Sequence, residues 1–346
     1  IAETLLYVLW DLKLKVGYAV RSLEESISKS KSDNTICTSL LDARLVAGDQ
    51  NLWLSFQKAY KNEILNKEKY NFFYEKLKEK DIRHKRMGDS SYLIEPNIKE
   101  GKGGIRDLNT LKWITLFIYQ VDDISKLVKM NILSKSELLL YHKAEKFLNN
   151  VRAMMHYYSN SSSDRLTLDL QIIIAEKLGY KKHIGSSSVE RFMKHYYLYV
   201  KDVSYLTKSI IERIENENFN NNKSKIKKFL KKLNKNKKSI FEFYDNKINL
   251  AKNISNIKAI DIFRAYNFAA EKHLDLSMNL TNLIKISLKK IDSFRDNKKA
   301  NIFFINILMN KKCSEDVLRN MNETGVLGRF IPDFGKVVAQ VQHDMY

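Results

Sequence analysis

Apolar residues recur at helical spacing through most of this chain, and that regularity restricts its fold class more than any other feature. Between Ser134 and Tyr158 the stripe is Ala144, Phe147, Leu148, Val151, Met155 and Tyr158. The three-and-four spacing puts these side chains on one helix face. After Ser187 the stripe is Phe192, Met193, Tyr196, Val200 and Val203. Ser134 with Glu137, and Ser187 with Glu190, have the spacing of a capping box, which starts a helix. Only two prolines and eleven glycines interrupt 346 residues. Long helices are therefore expected in place of many short strands and turns, with the stripes as core. The length exceeds what one core usually fills, so two or three domains are expected.

Two segments depart from the helical period. LKLKVGYAVR (12–21) alternates Leu12, Leu14, Val16, Tyr18 and Val20 with Lys13, Lys15, Gly17, Ala19 and Arg21. This period of two predicts a half-buried strand behind a helix over Glu3–Trp10. A strand cannot stand alone, so its partners are expected upstream of Ile1, and the chain is expected to open inside a truncated α/β domain. IFEFYDNKINL (240–250) predicts a hairpin around Asp245-Asn246. Elsewhere from Asp33 onward the reading is helical. Asp33-Asn34-Thr35 can cap a helix bearing Ile36, Leu40, Leu41 and Leu45 and ended by Gly48, and a second helix from Asp49 carries Leu52, Phe56, Ala59 and Tyr60. Helices resume from about Asn256 to Asn320, and GVLGRFIPDF (325–334) is a turn-rich link.

The formal charge of +20 raises the question of an anionic partner. Residues 223–238 hold nine lysines and no acid, whereas EKLKEKDIRHKR (75–86) mixes signs. A nucleic-acid surface combines basic residues with arginine and stacking aromatics. The lysine tract has one phenylalanine and no arginine, so it reads as a solvated segment, and a nucleic-acid partner is not expected. No apolar run reaches the roughly twenty residues of a membrane-spanning helix. Cys37 and Cys313 lie far apart without metal-ligand spacing and read as reduced thiols of a cytoplasmic protein. The chain starts at Ile1 and stops at Tyr346, so it reads as an excerpt of a longer protein.

The chemically suggestive stretch is EGKGGIRDLNTLKWI (100–114): Gly101, Gly103 and Gly104 lead into an apolar-periodic segment. A flexible turn feeding a helix N-terminus presents N–H groups that attract anions. Lys99, Lys102 and Arg106 flank it. It is not a Walker loop, because Lys102 sits between glycines and Ile105 follows them, and it lacks the strand–turn–helix context of a dinucleotide fingerprint. The turn could hold a phosphate, or could be an interdomain turn in which Arg106 and Asp107 pair with other side chains. Arg152 and His156 share a helix face, and Asp164, Arg165 and Asp169 follow shortly. A polar network fixing one helix against the next is the expected role of this group, ahead of general-base or metal chemistry. His343-Asp344 lacks further ligands and is set aside. No metal site is expected.

LLYVLWDLKLKVGYAVRSLEE (5–25), TSLLDARLVAGD (38–49), SYLIEPNIKEGKGGIRDLNTLKWI (91–114), DRLTLDLQ (164–171), VERFMKHYY (189–197) and GVLGRFIPDFGKVVAQVQHDMY (325–346) occur in this order. Together they closely resemble the bifunctional PII uridylyltransferase/uridylyl-removing enzymes. The glycine turn is also similar to that of glutamine synthetase adenylyltransferases, the alternative family; a helical docking or nucleic-acid-binding module is the alternative of another class. Tyr18-Ala19 stands where His-Ser is more frequent, Lys102 where proline is common, and Asp42 where Glu is usual.

The resemblance implies transfer of UMP from UTP to a tyrosine of the PII protein, Mg²⁺ as cofactor, and glutamine as the signal for UMP removal by a hydrolase domain. It also implies that the metal-binding aspartates precede Leu5 and the hydrolase ligands follow Tyr346, so the excerpt alone should be inactive. The expected organisation is the end of a nucleotidyltransferase domain (1–50), a helical domain (51–222), the lysine-rich segment (223–239), a hairpin and helical region (240–330), and a link (331–346). The fold class is therefore mainly α, with a truncated α/β remnant. Arg21, Lys99, Lys102, Gly103, Gly104 and Arg106 are the nucleotide or phosphate candidates. Asp33 is a candidate third carboxylate as well as a possible N-cap.

Overall fold

A computed structural model describes residues 2–14, 16–88, 93–183, 186–219, 240–244, 247–251, 254, 256–311 and 314–337. The lysine tract, Asp245-Asn246, Cys313 and His343-Asp344 lie outside the described residues. The fold is mainly α-helical, with one small sheet. The chain divides into two compact units, one formed by 1–82 with 112–127 and the other by 83–111 with the remainder.

In the first unit, α1 (Ala2–Asp11) is followed by α2 (Leu23–Ser32), α3 (Asn34–Leu41), α4 (Gln50–Tyr60) and a π-helical turn at Lys61–Leu65. It also takes α5 (Lys69–Arg86) up to Ile82 and α6 (Ile105–Tyr119) from Lys112. The expected strand at 12–21 does not form. Lys13 adopts a left-handed conformation (φ 58°). Its N–H donates to the Trp10 carbonyl (2.7 Å), and the Leu14 N–H donates to the Leu9 carbonyl (3.1 Å). That pair of bonds is the Schellman closure of α1, so the first half of the alternating run is spent ending a helix. The second half has no strand partner among the described residues, and Val20 is 80% exposed.

Ser22 and Glu25 form a capping box at α2. Asp33 ends α2 and caps α3, accepting from the N–H groups of Thr35 (2.7 Å) and Ile36 (3.3 Å). The helix expected to run to Leu45 stops at Leu41. Asp42 leaves it to accept the Trp113 indole N–H (2.8 Å) and to pair with Lys112 (3.3 Å). The core gathers Ile27, Cys37, Tyr60, Ile64, Phe72 and Phe117, with Phe72 and Phe117 stacked at 3.9 Å. The Tyr60 hydroxyl donates to the Cys37 carbonyl (2.7 Å).

The second unit is built on three helices that pack pairwise: α8 (Lys135–Ser159), α9 (Leu168–Lys177) and α10 (Ser188–Asn218), after a short α7 (Lys126–Lys129) at its boundary. Ala144, Leu148, Val151 and Met155 of α8 are buried, as are Leu170 and Ile174 of α9 and Phe192, Met193, Tyr196, Val200 and Val203 of α10. Capping boxes at Ser134/Glu137 and Ser187/Glu190 start α8 and α10. Strands β1 (Phe241–Tyr244) and β2 (Lys247–Leu250) pair antiparallel, and β2 also pairs in parallel with β3 (Asp275–Leu276), which the sequence reading did not anticipate. Around them lie α11 (Ala259–Lys272), α12 (Met278–Ile286), a 3-10 segment (Leu288–Phe294), α13 (Lys298–Met309), α14 (Ser314–Thr324), α15 (Val326–Phe330) and α16 (Pro332–Val337). Their core includes Ile248, Phe263, Tyr266, Leu280, Ile284 and Met321.

Candidate functional site

The glycine turn winds on itself before α6 begins. The Asn97 side chain accepts from the N–H groups of Lys99 (3.1 Å) and Glu100 (2.7 Å). The Gly101 N–H donates to the Asn97 carbonyl, Gly104 to Gly101, Ile105 to Ile98 and Arg106 to Lys99, all between 2.9 and 3.1 Å. These bonds consume N–H groups that a free helix terminus would offer to an anion.

Gly103 supplies a further donor. Its φ is +79°, a backbone conformation that favours glycine, and a Cβ there would lie 2.2 Å from the Val200 carbonyl of α10. The Gly103 N–H donates to Asp107 Oδ2 at 2.7 Å. An anion therefore does sit at this helix start, and it is the protein's own carboxylate.

Asp107 is 1% exposed. Besides Gly103 it receives Arg83 Nη2 and His84 Nε2, the latter at 2.9 and 3.0 Å from its two oxygens. Between carboxylate oxygens the His84 nitrogen must be the donor. Burial alone would push the Asp107 carboxyl up; the His84 and Arg83 contacts and the Gly103 N–H together hold it below the ordinary carboxylate range. Arg83 Nε and Nη1 are buried without hydrogen-bond partners, so Asp107 is the carboxylate that makes this guanidinium tolerable here.

A second carboxylate, Asp164, receives Arg152 Nε (2.6 Å) and His156 Nε2 (2.9 Å), with Lys99 Nζ at 3.9 Å. Burial pushes it up, and Arg152, His156 and Lys99 outweigh that and lower it. The backbone follows the same seam: the Ile98 N–H donates to the Asp164 carbonyl and the Leu166 N–H to the Pro96 carbonyl, both at 2.9 Å. Arg165 pairs with Glu95 (2.6 Å), and the Gln171 side chain donates to the Ile94 and Leu166 carbonyls. Asp169 stands apart, exposed on the first turn of α9.

Each flanking cation also has a carboxylate near it. Arg106 donates to Glu100 Oε1 (3.2 and 3.3 Å), and Lys99 lies 4.0 Å from the same oxygen. Lys102 lies 4.0 Å from Glu323. Lys99 thus joins the turn to the Asp164 cluster. Arg21 and Asp33 belong to the first unit; both are exposed, and the Arg21 charge adds to the Thr35 and Ile36 N–H groups in lowering Asp33. Arg83 and His84 were not singled out in the sequence. They sit in an alternating-charge stretch, and their partner is more than twenty residues away, so no local pattern marks them.

Among the described residues, no three His, Cys, Asp or Glu side chains converge in a way that could hold a metal ion. The two carboxylates inside the turn region are already neutralised by cations, so they do not fit a Mg²⁺ site. No helix of the described residues is long and apolar enough to cross a membrane.

Known proteins carry the same arrangement of sequence. A family model for the GlnD PII-uridylyltransferase matches residues 71–211, and one for the third domain of uridylyltransferase GlnD matches 241–330. A bifunctional uridylyltransferase/uridylyl-removing enzyme of Azospirillum brasilense is 39% identical over 348 residues, covering all of this chain and 37% of its own length. The chain thus spans little more than a third of that relative. No solved structure matches. With both domain models in order and a relative aligned along its whole length, the chain belongs to the GlnD family of PII uridylyltransferases.

Proposed function

We propose that this chain is the helical part of an enzyme that moves UMP from UTP to a tyrosine of the PII nitrogen-signalling protein. A further domain of the same polypeptide removes that UMP in response to glutamine. The observation that carries this reading is the identity along the entire chain to a protein named for both activities.

UMP transfer needs the charge of the triphosphate neutralised and its reacting phosphorus held in line. On this reading Mg²⁺ supplies part of that neutralisation from carboxylates outside this chain, because Asp107 and Asp164 are committed to internal cations. On this reading Lys99, Lys102 and Arg106 contribute positive charge toward the triphosphate, and Arg21, in the other unit, is a separate candidate for the same role. The carboxylates beside Lys99, Lys102 and Arg106 suit a positioning and charge-neutralising role for them, and on this reading proton transfer is not their task. Asp33 caps α3 through Oδ1, so on this reading its part is in the scaffold. The helical part alone transfers no UMP, and the working enzyme is cytoplasmic.

The test uses the full-length enzyme with Lys99, Lys102 and Arg106 replaced together by alanine. UTP affinity or the rate of UMP incorporation into PII should fall by roughly tenfold or more, as expected for several charges each worth about 1 kcal/mol in a solvated setting. PII binding in the absence of UTP, read by calorimetry, should be unchanged. Unaltered UTP affinity together with unaltered transfer would remove the turn from the nucleotide site.

A further inference from the structure

Beside the glycine turn, within the second unit, lies a cavity of about 260 Å³. Its wall includes Arg86, Glu95, Asn97, Lys102, Arg165 and Tyr196. Tyr196 is the informative member. It is 2% exposed, its hydroxyl makes no hydrogen bond to the described residues, and it is not among the fully buried unpartnered atoms, so the hydroxyl keeps accessible surface in a residue that lines the cavity. A phenol so placed is open to an acceptor brought in from outside. Burial pushes the Tyr196 phenol up from its usual value, so it keeps its proton and remains a donor.

The charges on the wall favour an acceptor that is negative. Among the described residues Glu95 is the one acid on the wall, and both of its oxygens are engaged, one by Arg165 (2.6 Å) and one by the Leu168 N–H (3.1 Å). Arg86, exposed at the end of α5, makes no ion pair among the described residues. The cavity is smaller than the roughly 300–1,000 Å³ common for organic ligands, which favours a compact anion. Oxyanions offer acceptor oxygens in several directions, matching a phenol, a guanidinium fork and an ammonium at once.

We propose that this cavity binds a free phosphate-type oxyanion, orthophosphate or pyrophosphate, with Tyr196 donating a hydrogen bond and Arg86, Lys102 and Arg165 supplying the charge. This goes beyond the transfer reaction and does not depend on it: the chain would bind the anion without UTP or PII.

The test is isothermal titration of the 346-residue chain with sodium orthophosphate and, separately, sodium pyrophosphate, at constant ionic strength in chloride. Because a chain of net charge +20 attracts any anion, the decisive variant is Tyr196→Phe, which removes a hydroxyl and leaves the charge untouched. Saturable one-site binding of at least one of the two anions is expected, and whichever binds tighter names the occupant. Tyr196→Phe should weaken it about tenfold, the loss of one hydrogen bond to a charged group. Arg86→Ala, at an exposed position, should weaken it by at least as much. Circular dichroism checks that Tyr196→Phe folds; if it does not, Arg86→Ala alone decides. Absence of saturable binding by both anions, or wild-type affinity in a folded variant, overturns the proposal.

Discussion

Asp107 shows how a single buried side chain can set the form of a loop. Its two oxygens collect a guanidinium, an imidazole and the N–H of a glycine at φ +79° with no room for a Cβ. Asp107→Asn leaves Arg83 buried with its charge uncompensated, which should cost about 3–5 kcal/mol; urea denaturation at neutral pH checks this. The pH dependence has a definite sign. The folded carboxyl is held below its unfolded value of about 3.9. Its stabilisation is therefore complete above the unfolded value and is lost as pH falls through the folded one. The urea midpoint of the wild type should drop in acid, and the Asn variant should lose that part of the slope.

Among the elements, the capping boxes of α8 and α10 look alike in sequence and do unequal work. Glu190 closes its own box, accepting the Ser187 N–H at 2.7 Å. Glu137 does the same for Ser134 (2.7 Å) and also takes Arg213 Nη2 (3.0 Å) near the far end of α10. Arg213 in turn donates to the Ile132 carbonyl. Glu190→Ala should cost about 1 kcal/mol, as a lost cap does. Glu137→Ala should cost roughly 2–3 kcal/mol, since a part-buried charged hydrogen bond goes with the cap. Denaturant titration of the two variants side by side measures the difference, and equal losses would show that the Arg213 tie is idle.

These helices were legible because stripe, cap and turn residues agree within a short window. The strand at 12–21 was misread because a period of two along LKLK does not distinguish an extended run from a Schellman closure followed by loop. The hairpin strands were visible; β3 was not, since two residues carry no period. In the candidate site, Arg152, His156 and Asp164 could be grouped from helical spacing and proximity in sequence. The Arg83–His84–Asp107 cluster could not, because only the folded backbone brings its members together.

For the whole molecule, 60 basic against 40 acidic residues leave a large self-repulsion. At low ionic strength such repulsion opposes the compact state. Raising sodium chloride from about 20 mM to about 200 mM shortens the screening length from roughly 20 Å to below 10 Å, so thermal unfolding should move upward. The buried Arg83–Asp107 pair is shielded from added ions, so wild type and Asp107→Asn should gain alike. A fall in the unfolding temperature with salt would mean that attractive surface pairs outweigh the net charge.

The close fit of Gly103 beneath the Val200 carbonyl has a practical bearing on shortening the gene. The bend at 97–104 takes its floor from a helix encoded some hundred codons later. A truncated product ending between residues 114 and 199 would carry every letter of the motif and lack the α10 surface that lies beneath Gly103.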